Sequence, residues 1–388
     1  MSLRILFAAD VPEDPNSGAA GTEYQTIAGL RRRGHEVETI WASDMTRRIG
    51  HGNLHYLLEL PWSYRRAIAG RCAQRVFDVI HVNQGHCYLA AEDHLRSRRP
   101  GVFVCRSHGL DDHVERVLAP WRELLGIGPT RGPRAAASRL LNRLLQRHDR
   151  LAYRHASGVL VSSSLDEDYL VRTMQVPPQR VGRVAQAPAR AFCATPAAPM
   201  TRQRLDRLLH IGGFAYFKGV HAVGRAVSVL LRQDPALRMT WVCRQDEHEP
   251  ARSLLSPDVQ PRIDFVAWVP QERLVDIFDA HGILLMPSLF EGFGKVFLEA
   301  MARGLCVVGT PTGGMKDIIE PGRNGVLVGF DDAKGIVEAV ASLRASHERA
   351  AAMSCAAATC ARRYSWDRVS LETERFYLRL LRLRPRAS

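Results

Sequence analysis

The chain is 388 residues long, 46% apolar and 24% charged, with a formal charge of +13. That length allows two domains with sizeable cores, and the composition excludes a disordered or fibrous protein. Eight scattered cysteines without a C-x-x-C pair point to reduced thiols, away from a disulfide framework and away from zinc.

The apolar run Leu3–Ala9 predicts a buried strand. A loop rich in Pro, Asn and Gly follows from Asp10 to Gly21. Thr22 and Glu23 open a helix to Arg33, which Gly34 ends. Further strands are predicted at Val37–Trp41, Val76–Val82, Val102–Ser107 and Gly158–Ser162. The rhythm restarts at Leu208–Ile211, followed by Gly212, Gly213 and a helix from Gly219 to Leu231. Strands then fit Met239–Cys243, Ile263–Phe265, Ile283–Met286 and Cys306–Gly309. Helices fit Gln271–Ala280, Lys295–Arg303 and Lys334–Ala345. Alternating strands and helices argue for parallel sheets covered on both faces. The proline-bearing stretch Pro188–Thr201 reads as the linker between the halves. Trp366–Arg382 reads as one amphipathic helix.

Of the 53 basic residues only Lys218, Lys295, Lys316 and Lys334 are lysines. This arginine surplus fits a coding bias, or work near phosphates or an acidic membrane face. Arg139, Arg143, Arg147, Arg150 and Arg154 recur at helical spacing beside a leucine-rich face. The stripe is either an ordinary solvated helix face or an anchor to anionic lipid. The first apolar run stops at Asp10, and no stretch reaches the roughly 18 apolar residues of a membrane span. The expected location is cytoplasmic, with peripheral contact at the inner face of the membrane as an option.

The chemistry concentrates in Pro287-Ser288-Leu289-Phe290-Glu291-Gly292-Phe293-Gly294-Lys295, continuing through Glu299 to Gly304. A strand ends before it, and a helix starts near Lys295. Glycines around Phe293 allow a tight turn, so backbone N–H groups at the helix start can bind an oxygen-rich anion. Such a loop lies at the carboxyl end of a parallel strand, where open α/β sheets bind ligands.

This segment resembles the Glu-x7-Glu region of the family 4 retaining glycosyltransferases. Phe265-Val266-Ala267-Trp268-Val269-Pro270 resembles the family's preceding strand. Thr310-Pro311-Thr312-Gly313-Gly314 resembles its following glycine pair, with Asp317 where glutamate is usual, and Gly322-Arg323-Asn324-Gly325 its next turn. The resemblance implies the GT-B fold: two Rossmann-like doubly wound domains facing a central cleft, with a C-terminal helix crossing back to the first. The expected boundaries are 1–195, 196–365 and 366–388. It also implies that Glu291 bonds the donor sugar, with N–H groups of Gly292, Phe293 and Gly294. Glu299 would then bond the ribose.

His210-Ile211-Gly212-Gly213-Phe214-Ala215-Tyr216-Phe217-Lys218-Gly219 suits phosphate chemistry but is not a nucleotide-hydrolase P-loop. By resemblance Lys218 grips the donor diphosphate. The family's second cation, an arginine, is replaced by Gly213, leaving Lys295 or another arginine to substitute. In the first half, Asp14-Pro15-Asn16-Ser17-Gly18-Ala19-Ala20-Gly21 resembles the family's glycine loop, with Gly18 and Gly21 as candidates to approach the donor. His108 follows an apolar strand, where the family carries a histidine beside the transferred sugar; His81, His86 and His113 have weaker claims.

The expected activity is transfer of a hexose-type sugar, with retention, from a UDP- or GDP-sugar to a glycan or lipid-linked saccharide. Preorganised positive charge would stabilise the leaving phosphate, and no metal or other cofactor is expected. The rivals are a nucleotide-sugar epimerase of the same fold, a non-catalytic homologue, and a basic nucleic-acid binder. The last lacks any recognised nucleic-acid motif, so nucleic acid is not an expected partner.

Overall fold

The computed structural model describes residues 2–16, 18–97, 99–127 and 132–383. Ser17 of the first glycine loop and the end of the tail past Leu383 lie outside these. The chain forms two units, Met1–Gln186 with Trp366–Ser388, and Ala187–Ser365.

The first unit holds a parallel sheet of β1 (Arg4–Ala8), β2 (Glu36–Ile40), β3 (Val79–Asn83), β4 (Val102–Arg106), β5 (Gly158–Val161) and β6 (Val181–Arg183). Their order is β2-β1-β3-β4-β5-β6. β3, β4 and β5 are buried at every residue, as expected of near-continuous apolar strands covered on both faces. β2 lies at the edge, and its Glu36 is exposed. The strand direction of build-up reverses between β1 and β3. That is the place where the Asp10–Gly21 loop leaves the sheet.

The helix expected from Thr22 begins at Gly18 and runs to Arg32. Small residues at 18–21 let its first turn fold against its own approach loop, with Gly21 packed under the Pro15 carbonyl. Glu23 is therefore not a solvated N-terminal acid. It is fully buried on the helix face toward the sheet.

Helix Trp366–Leu383 belongs to this first unit and buries Trp366, Val369, Phe376, Tyr377 and Leu380. Three glycines make room for it. Any side chain at Gly29 would meet Ser370, at Gly158 Leu380 and Phe376, and at Gly182 Phe376. The Tyr377 hydroxyl reaches His81 Nδ1 at 2.6 Å, and Arg379 donates to the Val181 carbonyl at 2.6 Å.

In the second unit β7 (Arg207–Ile211), β8 (Arg238–Val242), β9 (Ile263–Val266), β10 (Ile283–Met286), β11 (Cys306–Gly309) and β12 (Val326–Leu327) form another parallel sheet. The order is β12-β11-β10-β7-β8-β9. This is the doubly wound arrangement whose winding reverses between β7 and β10. Helix Val220–Gln233 presents Val223, Val227, Leu230 and Leu231 to the sheet, where Trp241 is fully buried.

The domain boundary expected at 195/196 lies at Gln186/Ala187, because the proline-bearing stretch is anchored rather than free. A short helix, Arg190–Cys193, buries Phe192 edge-on against Phe278, with ring centroids 5.2 Å apart. The Arg303 guanidinium, almost fully buried, donates to the carbonyls of Thr195 at 2.8 Å and Pro196 at 3.1 Å. It also makes a two-point pair with Asp279 at 2.8 and 2.6 Å. All eight cysteines are free thiols. Among the described residues no helix is long and apolar enough to cross a membrane.

Candidate functional site

The winding reversal between β7 and β10 separates the two loops that follow these strands, and a ligand crevice belongs there. After β7 the chain passes Gly212 and Gly213 and makes a short 3-10 turn, Tyr216–Lys218. It then enters helix Val220–Gln233 through Gly219, whose φ is +72°. A side chain at Gly219 would overlap the Pro287 carbonyl of the loop after β10. The two loops are also joined by the Leu289 N–H, which donates to the Phe217 carbonyl at 2.7 Å. This backbone contact fixes Lys218 opposite Glu291.

Lys218 Nζ donates to Glu291 Oε1 at 2.8 Å, and Ser288 Oγ donates to the same oxygen at 2.8 Å. The Glu291 N–H is taken by Thr312 Oγ1 at 3.2 Å. Glu291 is buried, whereas the Lys218 side chain is 27% exposed, so the pair opens to solvent on the lysine side. Two of the predicted residues are thus brought into direct contact, with Ser288 and Thr312 as supports.

Helix Lys295–Ala302 starts at Gly294, whose φ of +86° suits glycine. The N–H groups of Gly292, Phe293 and Gly294 have no acceptor among the described residues. They form a row of donors at a helix start, the usual setting for an oxyanion. Phe293 itself is buried. Its carbonyl accepts from Gly314, and its ring lies against Gly314, while Gly313 lies against the Glu291 and Phe293 carbonyls. The glycine pair therefore serves as the floor of the loop.

Glu299 is deeply buried one turn into that helix. Burial raises its carboxyl above the ordinary range, opposed by the charge of Lys295 and by the Ala189 N–H that it accepts. At Gly213 a side chain would begin in ordinary contact with Glu247, 3.7 Å from its Oε1. Arg244, just past β8, pairs with that oxygen at 3.4 Å. An arginine is therefore present beside the place where the family's arginine is missing.

In the first unit His108 lies just beyond β4. Its Nε2 bonds Glu23 Oε1 at 2.5 Å, and Nδ1 is 3.4 Å from Gln186 Nε2. Burial alone would raise the Glu23 carboxyl. The charges of Arg106 and His108, with the His108 bond, instead hold it down to about 2. Arg106 Nη1 lies 3.8 Å from Glu23 Oε2 and donates to Thr26 Oγ1 at 3.1 Å. The result is a buried ionic cluster whose only partly exposed member is the imidazole. Gly18 opens its helix at the surface, with nothing near its Cβ position.

The other candidate histidines are internal. His81 stacks on Phe7 at 4.1 Å, and burial lowers it to about 3. His86 stacks on Tyr56, and burial lowers it to about 4. His113 pairs with Asp166 at 2.7 Å. Among the described residues no group of three or more His, Cys, Asp or Glu side chains could hold a metal.

Residues 17–185 match the family described as Glycosyltransferase Family 4, and residues 206–346 match Glycosyl transferases group 1. The chain belongs to the family 4 glycosyltransferases. The D-inositol 3-phosphate glycosyltransferase of Streptomyces griseus subsp. griseus is 32% identical over 179 residues, 44% of this chain and 38% of that protein. Its namesake from Saccharomonospora viridis is 29% identical over 237 residues, 55% of this chain and 54% of that protein. The chain thus matches about half, or less, of the length of these relatives.

Among solved structures, sucrose-phosphate synthase from Thermosynechococcus elongatus superposes with a TM-score of 0.75 at 18% identity, covering 98% of this chain and 100% of that one. Anabaena HepE, solved in complex with UDP and glucose, superposes with a TM-score of 0.69 at 17% identity, covering 96% and 98%. With two doubly wound sheets, these likenesses show the GT-B fold.

Proposed function

We propose that this family member transfers a hexose-type sugar from a nucleoside-diphosphate sugar to a hydroxyl of a glycan or lipid-linked saccharide, with retention at the anomeric carbon. Such a step belongs to cell-surface polysaccharide or glycolipid synthesis. One observation carries the reading. At the winding reversal of the second unit, Lys218 and Glu291 meet at 2.8 Å beside three unpaired N–H groups. A cation, a carboxylate and a row of donors can serve a diphosphate and a sugar at once.

We assign Lys218 to the diphosphate, Glu291 to the sugar hydroxyls, Glu299 to the ribose and His108 to the transferred sugar. Arg244 supplies the second cation in place of Gly213. Positive charge placed on the departing phosphate lowers the barrier more than it tightens ground-state binding. Cationic side chains and helix N–H groups then do what a metal does elsewhere, and turnover is expected to survive a chelator. HepE has been solved with UDP-glucose, which supports UDP as the nucleotide to try first.

Arg139, Arg143 and Arg147 are exposed on helix Pro133–His155 beside Leu140, which is 58% exposed. We propose that this face rests on an anionic membrane surface. The deciding experiment for the activity is a panel of UDP- and GDP-sugars with saccharide acceptors, the product anomer read by NMR. An α-linked product from an α-donor is expected. An inverted product, or epimerisation of the donor alone, overturns the assignment.

A further inference from the structure

The first unit holds a concavity of its own, apart from the donor loops. A cavity of about 830 Å³ lies wholly within the first unit, in the helical layer over the sheet. It is walled by helix Asp111–Leu124, the carboxyl half of helix Pro133–His155, the π-helical turn Tyr169–Thr173 and the chain leading to Arg180. Its volume falls in the range of small-molecule sites.

Four arginines line it: Arg116, Arg150, Arg154 and Arg180. Its two acids are already engaged. Asp112 accepts from Arg150 at 2.6 Å and from the Tyr169 hydroxyl at 2.8 Å, and Glu115 pairs with Arg122. Arg180 caps the end of helix Pro133–His155, donating to the carbonyls of Tyr153 at 3.1 Å, Arg154 at 3.0 Å and Ala156, while its Nε is buried without a partner. Among the described residues neither Arg116 nor Arg154 has a carboxylate partner, and both are exposed. The cavity therefore carries uncompensated positive charge on two guanidinium groups held on facing helices. Met174 and Val176 give it an apolar flank.

Random surface arginines are solvated on convex helix faces. Here Arg154, which continues the stripe of Arg139, Arg143, Arg147 and Arg150, lines a recess in which Asp112 is taken up by Arg150 and Glu115 by Arg122. Guanidinium groups converging on a recess match a phosphate, which accepts paired N–H bonds. We propose that this cavity is a second ligand site of the protein, taking a phosphate ester whose phosphate is met by Arg116 and Arg154 and whose body lies on Met174 and Val176. The ligand is either a free phosphorylated small molecule or the headgroup of a phospholipid.

The test compares wild type with Arg116→Gln/Arg154→Gln and with Lys218→Ala, using calorimetry with glycerol 3-phosphate and flotation with phosphatidylglycerol vesicles. Both arginines are exposed, so the double variant is expected to fold, and circular dichroism checks this. Glycerol 3-phosphate binding that persists in Lys218→Ala and weakens at least tenfold in the double variant establishes a free phosphate ester as ligand. Vesicle binding alone, lost in the double variant but kept in Arg143→Glu/Arg147→Glu, establishes the lipid headgroup. Binding unchanged in the double variant, binding lost only in Lys218→Ala, or no binding of either probe overturns the proposal. The sugar-transfer assay is independent of all three results.

Discussion

Replacing Glu23 by Gln is the sharpest test of how the first unit is held together under His108. Glu23 is fully buried, and its Oε2 sits 3.8 Å from the guanidinium of Arg106, itself 1% exposed. Two unit charges at that distance attract by about 4 kcal/mol at an effective dielectric of about 20. The shift of the Glu23 carboxyl from 4.5 to about 2 corresponds to about 3 kcal/mol. The pair is buried and the carboxylate is held ionised against its own burial, so Glu23→Gln is expected to cost the first unit about 3–4 kcal/mol at pH 7, the order of breaking a buried ion pair. The substitution keeps the side-chain shape and an acceptor for His108, but leaves Arg106 as an unpaired buried charge.

The pH dependence has a definite sign. A carboxyl whose folded pKa lies below its unfolded value stabilises the fold above about pH 4.5 and loses that contribution as pH falls toward about 2. The gap between wild type and variant should close across that window. Hydrogen exchange of β3 and β4 amides measures this without assuming that both units unfold together. Adding Arg106→Met to Glu23→Gln should recover part of the loss, because the unpaired charge is then gone. A variant within 1 kcal/mol of wild type at pH 7, or a gap unchanged near pH 3, refutes the ionic account.

Glu291→Gln should tighten binding of free UDP or GDP about fivefold to tenfold while abolishing transfer, as read by calorimetry and product assay; weaker nucleotide binding counts against the assigned roles. Arg244→Gln should lower kcat/KM for the donor about tenfold, a loss of about 1.4 kcal/mol of transition-state binding, and normal kinetics would return Gly213 to being an uncompensated departure. Arg303→Ala should destabilise the second unit by about 3–5 kcal/mol, since it unpairs Asp279 and frees the carbonyls of Thr195 and Pro196. Exchange in β11 reads that loss, and protection equal to wild type contradicts it.

The strands of both sheets were legible because apolar runs bounded by glycine and proline carry their own signal, and β10 and β11 fall where the pattern puts them. β6 and β12 were not, since Val181–Arg183 and Val326–Leu327 are too short to show a period. The Glu291 loop was legible from its glycines. Its partners were not: Ser288 and Thr312 are ordinary residues until strand order sets β11 beside β10 and β10 beside β7. Arg244 went unnoticed for the same reason, because only the pairing of β7 with β8 brings the Arg244–Glu247 pair near Gly213. Glu23 was read as the acid of a helix start, since nothing local tells a capping carboxylate from a buried one. What separates them is Arg106, 83 residues away in sequence on β4 and 3.8 Å away in space.

The Lys218–Glu291 pair gains its meaning from where it sits. A purely structural ion pair has no reason to border a row of unpaired N–H groups at a helix start. A waiting pair does. Without a donor, Glu291 neutralises Lys218 and keeps its own buried carboxylate solvated by Lys218 and Ser288. A diphosphate can compete for the lysine, since it offers more charge, and the released carboxylate is then free to accept from sugar hydroxyls. The two proposed roles are thus coupled: the group proposed to grip the leaving phosphate must first let go of the group proposed to hold the sugar. A free nucleoside diphosphate takes the lysine but offers Glu291 no hydroxyl in return, so it gains when the carboxylate is neutralised. A sugar donor supplies that hydroxyl, so for it the same change removes a partner. This opposition is why nucleotide affinity and sugar transfer should move in opposite directions in Glu291→Gln, which no role for the pair in stability alone would produce.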